Sequence, residues 1–318
     1  MSVSESINLT GSKIFLIRDS LLSVGEELSQ RGTEPQYGLK TLPVLNRMIW
    51  GIQPKKLYVI GARTSQGKSS LVLQIAWDLA LQKHEVLFIS LEMTIEEMVE
   101  RLFCMSCEVN NEKLLTGRFK DHAKEWQEFH TQVASMPLVL SEGIGKTWKD
   151  IQYLLDQLST KPKVIVIDYI QCIKGVGLEK REAIDEYIRQ FRQMAIEYNF
   201  TAILCSQVNR AGIDSKEKVP GLHHLKDSGF LEEHADKVIL LHYPYAYEKT
   251  EEKFKYIMIV AKNRNGQTGP VEISFKPQFY RFYDRNVEDD NPPIEAKETA
   301  DMFDGKVLRG YQKVTDWQ

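Results

Sequence analysis

Two stretches contain Gly-Lys-Ser or Gly-Lys-Thr, the ending of a phosphate-binding loop: GARTSQGKSS, from Gly61, and SEGIGKTWKD, from Ser141. In such a loop a strand ends, backbone N–H groups turn inward, and a helix begins with its positive end at the phosphates. The lysine reaches the β/γ-phosphates and the next hydroxyl ligates Mg²⁺. The first stretch has the full spacing, Ala62, Arg63, Thr64, Ser65, Gln66, Gly67, Lys68 and Ser69, followed by Ser70. Alanine stands where glycine is commoner. The apolar run LYVIG precedes the loop, and the helical run SSLVLQIAWDLALQ follows it. The second stretch is a decoy. Five positions before Gly145 is Leu140, bulky and inside an apolar run, and Glu142 would turn a carboxylate towards phosphate. Thr147 reads better as a helix N-cap, with Asp150 three residues on and IQYLLDQL behind it. The expectation is one nucleotide per chain.

Four further places hold groups that hydrolysis needs. KVIVID ends in Asp168, the pattern that puts a carboxylate near Mg²⁺; its other reading is a loop cap. Glu92 follows the apolar run VLFIS, where it can orient a water for attack on the γ-phosphate or simply open the helix T-I-E-E-M. Gln207 follows TAILCS and can sense the γ-phosphate, or lie on a plain surface loop. Lys262 and Arg264 stand just before an Asn-Gly turn, either as a solvated hairpin or as positive fingers offered to another subunit's ATP. Cys104 and Cys107 form a CxxC with no second pair in an apolar helical stretch and read as core.

The elements that must position these groups follow from the apolar pattern. LYVIG, VLFIS, PLVL, KVIVID, TAILCS and KVILLH are short apolar runs alternating with helical stretches, which predicts a mostly parallel sheet flanked by helices. YIMIVAK, VEISF and RFYD follow closely, with NG and TGP between the first two, and predict an antiparallel extension near the C-terminus. Before the sheet, Ile14, Ile17, Leu21, Val24 and Leu28 make the apolar stripe of an amphipathic helix. That helix either packs on its own domain or docks as an arm on a neighbouring subunit. The expected organisation is an arm and linker helix over 1–34, an ATPase domain over 35–285 and an acidic tail over 286–318.

Composition excludes several classes. Hydrophobic residues are 42% and charged residues 27%, as in an ordinary globular protein. No apolar run is long enough to span a membrane and no secretory signal opens the chain, so no membrane partner is expected. The 4 cysteines point to a reduced, cytoplasmic setting. Net charge is −3, but the segment 286–318 carries the acidic excess, so the body is close to neutral and can hold a local basic channel.

GARTSQGKSS, SLEM at 90–93, VIVIDYIQ at 164–171, SQVNR at 206–210, LKDSGFLEEHAD at 225–236 and KNRNGQTG at 262–269 occur in one order. In order and wording they resemble the C-terminal motor domain of the DnaB family of replicative DNA helicases, over about residues 35–285. The resemblance implies a RecA-like P-loop NTPase core and a ring, usually a hexamer, around single-stranded DNA, with ATP and Mg²⁺ between subunits. It implies that Lys68 and Ser69 hold phosphate and metal, that Asp168 supports the metal, that Glu92 is the catalytic base and that Gln207 is the phosphate sensor. Lys262 and Arg264 are then the trans-acting pair, with Arg264 as arginine finger. The DNA-facing loop includes Lys226, Asp227 and Gly229, where the family commonly has Arg and Glu at the first two. Lys174, Lys180 and Arg181 lie on a glycine-containing loop after Asp168, which either lines the same channel or is a solvated charged loop. The chain starts almost at the family's linker helix, which puts in question its ring stability and its route to primase or helicase loader. The alternative is a RecA-like DNA-binding ATPase that does not unwind, acting in loading, recombination or regulation. A small-molecule P-loop kinase would leave the trans-acting motif idle.

Overall fold

The computed structural model describes residues 17–29, 32–143, 146–158, 160–173, 180–208, 219–225, 228–249 and 251–285. In chain order the helices and strands are α1 (Ile17–Ser29), α2 (Pro43–Ile49), β1 (Leu57–Ala62), α3 (Lys68–Leu81), β2 (Val86–Ser90), α4 (Ile95–Cys107), α5 (Asn111–Leu115), α6 (Ala123–Val133), β3 (Leu138–Glu142), α7 (Trp148–Gln157), β4 (Val164–Asp168), α8 (Lys180–Glu197), β5 (Thr201–Gln207), α9 (Ser228–His234), β6 (Lys237–His242), β7 (Lys255–Asn263), β8 (Gly269–Lys276) and β9 (Arg281–Asp284).

The apolar runs of β1, β2, β4, β5 and β6 become buried strands because both faces of the sheet are covered there, whereas β3 at one edge and β8 in the antiparallel extension stay partly exposed. Along β1, Tyr58, Ile60 and Ala62 point into one core, while Leu57 and Val59 point into the other. The same alternation holds on β4, with Val164 and Val166 on one side and Ile165 and Ile167 on the other. This period of two, buried on both faces, is what hides the polar/apolar alternation of a one-sided strand. Helix α3 is buried on every side from Ser70 to Ala80, as expected of a helix apolar all round. It shares one core with α4, α6 and the antiparallel strands; α7, α8 and α9 cover the other face.

The strand order is β3-β2-β4-β5-β1-β6-β7-β8-β9. Strands β3 to β6 pair parallel, and β7, β8 and β9 add antiparallel at the β6 edge. The chain jumps from β1 over β5 and β4 to β2, so a crevice opens beyond the C-terminal ends of β1, β5, β4 and β2.

Three details differ from, or choose among, the sequence expectations. Lys180 and Arg181 are not on a loop: they open α8, whose inward face begins at Ala183 and Ile184. Gly229 likewise sits in the first turn of α9 rather than on the loop. The apolar stripe of α1 is not covered by its own domain, for Ile17 is 82% and Leu21 62% exposed, with Val24 and Leu28 also exposed. Lys174, Lys226, Asp227 and Ile14 lie outside the described residues.

Candidate nucleotide site

The phosphate loop is shaped by its backbone. After Ala62 ends β1, Ser65 and Gly67 take left-handed conformations with φ of 62° and 80°, and α3 starts at Lys68. Gly67 is needed twice over. Its φ favours glycine, and a Cβ there would lie 2.8 Å from the Phe282 ring. Phe282 on β9 stacks on Phe275 of β8, at 4.3 Å between centroids. Gln74 on α3 exchanges hydrogen bonds with the Phe282 backbone, at 2.9 and 2.8 Å. The antiparallel extension is therefore the floor beneath the loop.

Lys68 Nζ lies 3.3 Å from Asp168 Oδ1 and 4.1 Å from the centre of the Tyr169 ring. Asp168 is fully buried at the end of β4, and neither of its carboxylate oxygens accepts a well-formed hydrogen bond among the described residues. A buried carboxylate whose facing charge is one ammonium group is costly, unless further cations or donors meet its lone pairs. That chemistry fits a divalent cation next to phosphates, for which Ser69 in the first turn of α3 is the candidate hydroxyl ligand. Beneath it, the buried Cys205 thiol is pushed well above its usual range by burial and by the Asp168 charge.

Two more of the expected groups meet this point. Leu91 N–H donates to Asp168 O at 2.7 Å, so the exposed Glu92 follows directly at the rim of the crevice. Gln207 Nε2 donates to Thr64 Oγ1 at 2.6 Å, and its backbone N–H donates to Gln171 Oε1 at 3.4 Å. Gln171 in turn donates to Ser206 Oγ at 2.8 Å, tying the ends of β4 and β5 together. Residue reasoning missed three neighbours. Gln171 and Tyr169 belong to the quoted VIVIDYIQ run but carry no role there. Tyr247, whose hydroxyl accepts from Arg63 Nη1 at 2.7 Å, has no sequence signal.

Lys262 and Arg264 are elsewhere. Lys262 pairs with Val238 and Asn263 with Lys237, and Lys237 is level with Tyr58. The pair therefore lies at the N-terminal edge of the parallel strands. Lys262 is level with Val59, three residues before Ala62, and Arg264 lies beyond Asn263, which is level with Tyr58. Along the strand this sets them back from their own phosphate loop by about 10 Å and by about 13 Å or more, respectively, at ~3.3 Å per residue. Burial, with Arg264 adding, holds the Lys262 ammonium below its ordinary pKa.

The second Gly-Lys-Thr is not part of this site. Leu140 lies within β3, and Thr147 caps α7 through a capping box with Asp150. Gly145 lies outside the described residues. Cys104 is buried in α4, where burial, with Glu100 adding, pushes its thiol up to about 12, as expected of a core residue.

Known proteins are similar to this chain in sequence and in fold. The replicative DNA helicase DnaC of Bacillus subtilis is 30% identical over 264 residues, which are 79% of this chain and 58% of that protein. The replicative DNA helicase DnaB of Geobacillus stearothermophilus is 30% identical over 248 residues, 75% of this chain and 54% of that one. The chain thus spans little more than half the length of these relatives. A solved DnaB-like replicative helicase, described with its interactions with primase, superposes with a TM-score of 0.76 at 25% identity, over 85% of this chain and 69% of that chain. A solved ATPase domain of 24% identity also gives 0.76, over 86% of this chain and all of that one, and shows the same fold. The RecA-like expectation for the fold is borne out. The DnaB-like helicase C terminal domain family matches residues 38–284, and the chain belongs to that family.

Proposed function

We propose that this chain is the motor of a ring-shaped replicative DNA helicase, translocating on single-stranded DNA and hydrolysing ATP at subunit interfaces. One observation carries the reading. Lys68, Asp168, Glu92 and Gln207 gather at one edge of the sheet, while Lys262 and Arg264 lie at the other. A site split in this way is completed by a second copy, whose far edge faces the first copy's phosphate loop. The exposed stripe of α1 supports assembly, since a neighbouring copy is what it can cover. A hexamer in the cytoplasm, with primase or a helicase loader as partners, is the corresponding expectation from the family.

The chain's own groups divide the work. Backbone N–H groups at the start of α3 and Lys68 cradle the phosphates of ATP. Ser69 and Asp168 would hold Mg²⁺, which supplies neutralisation of charge on the β- and γ-phosphate oxygens. Glu92 orients the attacking water and takes its proton. Gln207, bonded to Thr64 of the loop, reports the state of the γ-phosphate to the chain that follows β5. Arg264 of the neighbour stabilises the charge that develops on the transferring phosphoryl group. DNA is gripped through its backbone, with no sequence preference. Gly229, Lys226, Asp227, Lys174, Lys180 and Arg181 are the proposed contacts.

The test is ATP hydrolysis with and without single-stranded DNA, followed by strand displacement on a forked duplex with the assembled protein. Stimulated turnover with displacement supports the reading. Stimulated turnover on intact rings without displacement favours a DNA-binding ATPase that does not unwind.

A further inference from the structure

Lys262 and Arg264 do not stand free at the far edge of the sheet. Helix α9 ends against them. Lys262 Nζ donates to Glu232 O and, at 3.2 Å, to Glu233 O. Arg264 Nη2 donates to Glu233 O at 2.7 Å, and Arg192 Nη1 on α8 donates to His234 O at 2.8 Å. Three cations thus meet the last carbonyls of α9, where the helix carries partial negative charge.

Asp236 sits two residues beyond, with a side chain only 3% exposed. Its Oδ2 accepts from Arg192 Nη1 at 2.8 Å and from Leu57 N–H at 2.9 Å. Its backbone N–H donates to Leu57 O at 2.8 Å, and its backbone O accepts from Arg264 N–H at 3.0 Å. Its Oδ1 lies 3.7 Å from Arg264 Nη1. Asp236 cannot swing, because β1 and α8 hold its other oxygen. Arg264 is therefore steadied on one side, by Glu233 O and Asp236, while its side chain remains 42% exposed.

We propose that Asp236 is the positioning residue of the trans-acting pair: with the end of α9 it fixes the Arg264 guanidinium so that its open side meets the neighbour's γ-phosphate. This rests on the trans-acting reading of Arg264. A planar guanidinium hydrogen-bonded through one nitrogen and ion-paired through another keeps its direction in a way that a lone ammonium does not, although Lys56 Nζ shares Asp236 Oδ1 at the same 3.7 Å. Strand β1 then links the two functions of one subunit. Leu57 at its start holds Asp236, and Ala62 at its end begins the phosphate loop.

The experiment is a double-mutant cycle on the assembled, full-length chain with Asp236→Asn, Arg264→Ala and both. Two quantities are read: kcat and KM for ATP, and the affinity for ADP with aluminium fluoride relative to ADP alone. Asp236→Asn keeps the shape and removes the charge. It is expected to lower kcat by about tenfold to a hundredfold, as for a misplaced reacting group, to leave KM unchanged and to weaken the aluminium fluoride complex. In the Arg264→Ala background it is expected to change neither quantity. Equal losses in both backgrounds, or no loss in either, overturn the proposal and leave Asp236 a structural tie. If Arg264→Ala alone matches wild type in both readouts, the trans-acting reading fails and this inference falls with it. Thermal unfolding of each variant is followed in parallel. Should Asp236→Asn not fold, Arg192→Gln removes one anchor of Asp236 and one of α9, and the same cycle with Arg264→Ala applies.

Discussion

The Gln207 side chain donates to Thr64 Oγ1 at 2.6 Å, so the end of β5 is hydrogen-bonded directly to the phosphate loop. The same residue is held from behind by Gln171. A group fixed between loop and strand can register the arrival or loss of a γ-phosphate by giving up this one bond. Gln207→Ala removes a bond worth about 1 kcal/mol, so stability without nucleotide should change only slightly. ATP binding is expected to persist, while stimulation of turnover by single-stranded DNA is lost. Steady-state ATPase assays with and without DNA check this, and full stimulation in the variant would remove the sensor role.

The two Gly-Lys sequences separate cleanly in the same assay. Lys68 faces the buried Asp168 at 3.3 Å, whereas Lys146 is exposed just before the cap of α7. Lys146→Ala should leave nucleotide binding and turnover at wild-type levels. Lys68→Ala should abolish turnover, and it also strands a buried carboxylate, so its unfolding temperature in the absence of nucleotide should drop. Loss of nucleotide binding in Lys146→Ala would show that the decoy stretch is a second site.

The proposed trans-acting role of Arg264 gives a mixing experiment. Arg264→Ala subunits keep an intact phosphate loop, and Glu92→Ala subunits keep an intact far edge. Arg264→Ala alone is expected to lose about 10³-fold or more in kcat with ATP binding nearly unchanged. Each variant alone is nearly inactive, but mixed assemblies contain interfaces that pair a good Glu92 with a good Arg264. Turnover should therefore rise on mixing and pass through a maximum with the ratio of the two. A mixture that never exceeds the sum of its parts would place both groups in one subunit.

How much of this was legible in the sequence depends on how local each signal is. The six parallel strands could be read because each is a short apolar run closed by turn residues. The phosphate loop, Asp168 and Gln207 could be read because each stands at the end of such a run. The charged run Lys180, Arg181 and Glu182 reads as a loop because the first turn of α8 shows no apolar period of its own; the apolar face begins at Ala183. The cradle of Lys262 and Arg264 was not readable at all. It needs β1, α8, α9 and β7 brought to one edge, and only the register of the sheet puts Asp236 beside residues so distant in the chain. The support of Gly67 by Phe282 is hidden for the same reason.

Lys237 carries the pH dependence that the fold predicts most directly. It is buried at the start of β6, donates to Ile49 O at the end of α2, and lies 5.3 Å from the centre of the Tyr58 ring. Burial, with the nearby Lys56 charge adding and Asp236 opposing, lowers its pKa to about 8. In the unfolded chain a lysine titrates near ~10.4. Between these values the unfolded state binds more protons than the folded one, so stability rises with pH. Below about 8 both states are charged and the contribution is flat. The slope contributed by this one group is at most about 1.4 kcal/mol per pH unit across the window. Lys237→Met has no proton to lose, so its stability should climb less steeply than that of wild type from pH 8 to 10. Denaturant unfolding of both proteins at several pH values measures the difference, which cancels the other titrating groups. Parallel curves would mean that the Ile49 carbonyl and Asp236 compensate the buried ammonium in full, and that Lys237 folds with its charge at no cost.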